Sequence, residues 1–215
     1  MIIYHGSTVM VERPEYGLGR LNNDYGQGFY CTEDIELARE WACRDDEGGF
    51  VNKYELDFSG LKVLDIGDLG ILPWIAILME NRAVRYSSPV ERRGAEFVIS
   101  KYLPSYEDYD IIRGYRADDS YFSYTRAFLS GVISLEQLEK AVHFGNLGIQ
   151  ICLKSPAGFE RISFLGADDV DGSVYYPQRV KRDDKARSDY YKLLEEESDE
   201  GVFIRDIMRE GGLKP

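Results

Sequence analysis

The side chains best suited to catalysis at neutral pH are few: two histidines, His5 and His143, and three cysteines, Cys31, Cys43 and Cys152. His5 ends an apolar, β-prone run and is followed by Gly6 and Ser7. An imidazole at such a place either bonds a ligand or is a buried histidine satisfied by its neighbours. His143 falls near the end of an amphipathic stretch, where a cation suits the carbonyl end of a helix, so a structural or surface role is expected. The cysteines are odd in number and form no CxxC pair, which fits a reducing compartment. No Cys/His cluster has zinc spacing and HExxH is absent, so no catalytic metal is expected. GxSxG is absent as well, and no Cys-His pair supports a triad hydrolase. Gly26-Gln27-Gly28 lacks the strand-before, helix-after context of a dinucleotide fold, and there is no GxxxxGK[ST], which excludes Rossmann and P-loop readings.

The elements that must position these residues follow from pattern. Residues 2–5 read as a strand broken by Gly6, Ser7 and Thr8, and a glycine- and asparagine-rich loop leads to Gly28-Phe29-Tyr30. Thr32 is an N-cap candidate for a helix carrying Ile35, Leu37, Ala38, Trp41 and Ala42 at helical spacing. Residues 50–58 alternate as a half-buried strand. Residues 61–106 are mostly helical in pattern, with helices at 74–79 and 95–102. Residues 109–115 form the next strand, and Ala117-Asp118-Asp119 opens a helix with an acidic first turn, closed by Gly131. Ser134-x-x-Gln137 is a capping box, residues 148–153 are the clearest late strand, and 156–164 suggest a short helix. Strands and helices interleave without an even βαβ rhythm, so the expected class is α+β.

The chain has 215 residues and a formal charge of −12, enough length for a real core and too acidic for bulk binding to nucleic acid or an anionic membrane. A local basic pocket for one phosphorylated ligand remains compatible with that balance. Hydrophobic residues at 44% and charged ones at 30% are ordinary globular values, which argues against disorder. The longest apolar stretch, 71–79, contains Pro73 and is about half the roughly 18 residues of a membrane span. The first residues lack the pattern of a signal peptide, so a cytoplasmic protein is expected. Beyond Gly166 the composition becomes strongly charged, with an acidic run at 195–200 and a short amphipathic segment at 202–208.

Taken together, Tyr4-His5-Gly6-Ser7 on a first strand, Gly26-Gln27-Gly28-Phe29-Tyr30 entering a helix, and Gln150-Ile-Cys-Leu on a late strand resemble the ADP-ribosyltransferase superfamily. The helix with Ala38 and Trp41 and the strand followed by Ala117-Asp118-Asp119 extend the likeness, which covers roughly residues 2–166. More narrowly, the chain is similar to an uncharacterised bacterial family of the subclass with a His, Tyr, Glu signature. The resemblance implies a split β-sandwich ringed by helices, with NAD bound as co-substrate in a cleft between two small sheets. Residues 1–166 would form that domain, and 167–215 a charged, mostly helical extension packed on it.

In this scheme His5 would bond ribose hydroxyls of NAD, the Gly6 backbone would read the carboxamide, and Tyr30 would stack on the nicotinamide ring, with Ser7 and Gly28 beside them. Two glycines before Tyr30 would let backbone approach closely. Trp41 sits where some relatives place a second stacking aromatic, and it equally fits the apolar face with Ala38. The chemistry would be loss of nicotinamide through an oxocarbenium-like ribosyl cation, then attack by an acceptor. Gln150 stands where the family has a glutamate; it can bind a ribose hydroxyl but supplies no charge. Asp118 and Asp119 are candidates to supply it, or they cap a helix. Arg20, Arg113 and Arg116 are candidates for the pyrophosphate. The expected activity is therefore NAD-dependent ADP-ribosyl transfer to an unidentified macromolecular acceptor, as a toxin of a toxin-antitoxin pair with an antitoxin protein as partner. The alternatives are an NAD glycohydrolase and a catalytically degenerate nucleotide- or protein-binding relative.

Overall fold

The computed structural model describes residues 1–117, 119–146, 148–195 and 201–213. It is a mixed α+β structure with two sheets and, among the described residues, eight α-helices. The first sheet has the order β1 (Ile2–Ser7), β3 (Gly49–Leu56), β7 (Ile162–Val170), all antiparallel. The second has the order β2 (Phe29–Cys31), β6 (Ile149–Leu153), β5 (Ile111–Tyr115), β4 (Val63–Asp65), antiparallel except for the β4–β5 pair. A single bridge, Tyr4 with Thr32, ties the two sheets where β2 leads toward α1 (Ile35–Ala42).

The alternation of each strand decides what lies between the sheets. Ile3, Tyr54 and Leu56 from one sheet meet Cys31, Ile111, Ile151 and Leu153 from the other in a buried cluster, so the sheets pack face to face at one end. Helix α1 covers the far side of the first sheet, with Ala38 and Ala42 against Val51 and Val170. The larger core lies behind the second sheet. It gathers α2 (Ile71–Asn81), α3 (Pro89–Tyr102), α4 (Asp119–Leu129), α5 (Leu135–Ala141), α7 (Gly172–Glu195) and α8 (Ile204–Glu210) around Trp74, Tyr121, Tyr124 and Phe128. Helix α2 buries every residue from Trp74 to Met79, as an all-apolar helix in the middle of a core must, and Pro73 lies in its first turn where no amide donor is needed.

Several local expectations need correction. β1 runs through Gly6 and Ser7 because those residues pair with Val51 and Phe50 of β3. Asp34, rather than Thr32, caps α1, accepting from the amides of Glu36 (2.8 Å) and Leu37 (3.3 Å). The stretch read as helical from residue 61 opens with the short strand β4. The helix expected at 156–164 is only α6 (Pro156–Glu160), and β7 begins at Ile162, with Ile162 and Phe164 packed on the inter-sheet cluster while Ser163 and Leu165 are exposed. The Ser134–Gln137 capping box is present in both directions. Asp118 and most of the acidic run, 196–200, lie outside the described residues, as does the Asp119 side chain. No described helix is long and apolar enough to cross a membrane.

Candidate functional site

His5 is placed by β1 and fixed by a single strong contact. Its Nδ1 lies 2.7 Å from the carbonyl oxygen of Tyr30 on β2. A carbonyl only accepts, so Nδ1 carries the hydrogen and the neutral ring keeps its lone pair on Nε2. Burial pushes the His5 pKa below its ordinary value of 6.5, against the opposing effect of that hydrogen bond. The ring also lies 4.4 Å from that of Phe29. Behind the strand, fully buried Asn52 donates to the His5 carbonyl (3.1 Å) and accepts from the Val11 amide (2.8 Å), which pins the loop after β1 to the sheet.

Tyr30 is oriented from its hydroxyl end. That hydroxyl donates to the Gly26 carbonyl (2.6 Å) and accepts from the Tyr25 amide (3.0 Å). Burial holds the phenol far above its ordinary pKa, so it is neutral and committed to the loop. What Tyr30 can offer a ligand is ring surface rather than an acid or base. Ser7 is likewise occupied, its hydroxyl closing a small turn with the carbonyl and amide of Val9. The glycines have steric reasons of their own. A Cβ on Gly6 would collide with Ala38 and Ala42 of α1, and one on Gly28 with Cys152 and Leu153 of β6. Gly28 therefore owes its smallness to strand contact, whatever else it approaches.

His5, Gly6, Ser7, Gly28, Tyr30, Trp41 and Gln150 all line one cleft of about 790 Å³, so the structure brings together seven residues drawn from β1, β2 and the loop before it, α1 and β6. Its described rim also carries six arginines, Arg13, Arg20, Arg44, Arg82, Arg116 and Arg179, against two carboxylates, Glu15 and Asp24. Arg20 and Arg116, two of the arginines expected to meet a pyrophosphate, line this cleft. Arg113 does not: it is turned to Asp65 (2.7 Å) and Glu33 (3.3 Å), because β5 alternates and its position faces away from Gly114 and Ile112. The Arg116 guanidinium lies 4.4 Å above the Trp41 ring, and Trp41 Nε1 is a buried donor with no partner among the described residues.

Asp24 is the residue that sequence reasoning missed. Only 5% exposed, it sits in the loop between β1 and β2 and binds Arg82 (2.8 Å), the Ala117 amide (2.9 Å) and Gln150 Nε2 (2.8 Å). In sequence it is one more acid in a polar loop, Asn22-Asn23-Asp24, which reads as turn chemistry.

Comparison with known families matches residues 1–164 to a family model described as "Protein of unknown function (DUF3990)". No curated protein and no solved structure matches the chain.

Proposed function

The chain belongs to the DUF3990 family of proteins of unknown function, and from the contents of its cleft we propose that it is an NAD-dependent ADP-ribosyltransferase. One observation carries the reading: a chain of net charge −12 gathers six arginines and only two carboxylates around a cleft containing His5, Tyr30 and Gln150. Such a local reversal of sign suits an anionic ligand, and the ring faces of Tyr30 and Trp41 suit a planar one. The two sheets, packed face to face with the cleft at their edge, are compatible with the split-sandwich arrangement of that superfamily.

In the proposed reaction the bond between nicotinamide and ribose C1′ breaks, its electron pair leaves with nicotinamide, and a nucleophile on the acceptor attacks C1′. His5 Nε2 accepts from a ribose hydroxyl, its orientation fixed by the Tyr30 carbonyl. Tyr30 orients the departing ring by stacking. Gln150 Oε1 accepts from a hydroxyl of the nicotinamide-side ribose. Arg20 and Arg116 face the pyrophosphate, where guanidinium geometry matches paired oxygens. Tyr30, protonated, is no general base, and His5 Nε2 is occupied by the ribose hydroxyl, so the acceptor's proton leaves to water and the site works by orientation and charge stabilisation.

The acceptor class is tested with NAD labelled on its adenylate half. Transfer predicts label retained on a macromolecule of a cell lysate in proportion to nicotinamide released. Label recovered wholly as free ADP-ribose would instead make the protein a glycohydrolase. Binding of NAD without any nicotinamide release would contradict both and leave a nucleotide-binding relative.

A further inference from the structure

We propose that Asp24 is a positioning residue for Gln150, and that the two act as one carboxylate–amide unit facing the ribose. The inference rests on the functional reading above and deepens it. Asp24, at 5% exposure, opens the buried end of this loop with Tyr25 and Gly26, whereas Tyr16, Leu18 and Leu21 before it are more than half exposed. Burying it has a desolvation cost that only specific partners offset. Those partners come from separate elements: Arg82 from the end of α2, the Ala117 amide from beyond β5, and Gln150 from β6.

The contact with Gln150 differs in kind from the other two. Arg82 and Ala117 anchor the loop, whereas the third bond fixes a residue that itself lines the cleft. Gln150 Nε2 donates one hydrogen to Asp24 Oδ2 (2.8 Å) and the other to the Tyr115 carbonyl (3.1 Å). Both amide hydrogens are thereby committed to acceptors that cannot donate, so the amide cannot rotate by half a turn without placing Oε1 against two other oxygens. Oε1 is left for a ligand hydroxyl. Donation to a charged carboxylate also polarises the amide and strengthens Oε1 as an acceptor. A neutral glutamine thus gains part of the anionic character of a carboxylate, the charge residing one hydrogen bond away on Asp24.

The test exchanges the two groups. Asp24→Asn alone removes the charge, and Gln150→Glu alone sets two carboxylates against each other. Each single variant is expected to lower kcat for nicotinamide release about tenfold or more, with KM for NAD changed less than about threefold. The exchange variant, Asp24→Asn with Gln150→Glu, keeps one carboxylate and one amide in contact and is expected to recover most of the lost rate. A merely structural Asp24 would give additive losses in the double variant, and wild-type kcat in Asp24→Asn would overturn the proposal outright. Thermal melting of each variant identifies any that fails to fold. The side-chain amide signals of Gln150 in NMR give a readout that needs no activity. Slowly exchanging Nε2 hydrogens in the wild type, lost in Asp24→Asn, support the pair even if nicotinamide is never released and the functional reading fails. A freely exchanging Gln150 amide in the wild type would sink it.

Discussion

At the scale of single residues, the cleft depends on groups whose hydrogen bonds leave one face free. His5 is the clearest case: its Nδ1 is fixed by the Tyr30 carbonyl, and burial lowers its pKa. Protonation would charge a desolvated ring, so the native state favours neutral His5 more than the unfolded chain does. The stability this contributes is present above the ordinary value of 6.5 and is lost as pH falls through that value toward the lower native one. Ligand binding followed by calorimetry should accordingly stay level from about pH 8 down through 6.5 and weaken only as pH falls through the lower native value. Tyr30→Phe separates hydroxyl from ring. It leaves the Gly26 carbonyl and Tyr25 amide unpaired, so we expect a loss of about 1–3 kcal/mol in denaturant unfolding, while a stacked ligand still binds. His5 and Tyr30 could be picked out from the sequence because an imidazole or aromatic beside glycine carries a local signal, whereas Gln150 stood out only through the family resemblance. Asp24 could not, since its importance comes from partners 58, 93 and 126 positions away.

At the scale of elements, the meeting of β1 with α1 sets the cleft wall. Gly6 lets the two approach until a Cβ would lie 2.6 Å from the Ala42 nitrogen, so Gly6→Ala forces them apart. Overpacking of this kind typically costs about 1–3 kcal/mol, and a thermal melt of the variant should show a lowered midpoint together with weakened ligand binding. A second element-level prediction concerns α3 and α4. Burial pushes the Glu91 carboxyl up, but its bonds to Arg126 (2.5 Å) and Ser87 (2.5 Å hydroxyl, 2.7 Å amide) outweigh that and hold it below its ordinary 4.5. That stabilisation is complete above about 4.5 and is lost as pH falls through the lowered native value. Glu91→Gln should therefore melt at a lower temperature than wild type at neutral pH, the gap closing in acid. Helices with caps and apolar spacing, such as α1 and α5, were legible from sequence. Strands β4 and β7 were not: three residues carry no period, and in β7 the exposed face carries apolar Leu165 while Gly166-Ala167-Asp168-Asp169 blurs the alternation that Ile162 and Phe164 begin.

At the scale of the whole molecule, the contrast between an acidic chain and a basic cleft is the feature that function must use. Helix α7 contributes to it structurally: Arg182 binds buried Glu40 of α1 through two contacts (2.7 and 2.9 Å), and the rim residue Arg179 reaches the Cys43 carbonyl (2.7 Å), tying α7 to the end of α1. Composition alone showed the total charge, and only the fold shows its distribution. An anionic ligand held by arginines at a solvent-open rim should bind more weakly as salt rises, by roughly the screening expected when the Debye length falls from about 10 Å at 0.1 M toward about 3 Å at 1 M. The most direct measurement is nicotinamide release from NAD by the purified protein, wild type beside His5→Ala. The account predicts release by the wild type and a rate lower by about tenfold or more in the variant, or about 1.4 kcal/mol of transition-state stabilisation. Equal rates in the two proteins, or bound NAD that stays intact in the wild type, would contradict it.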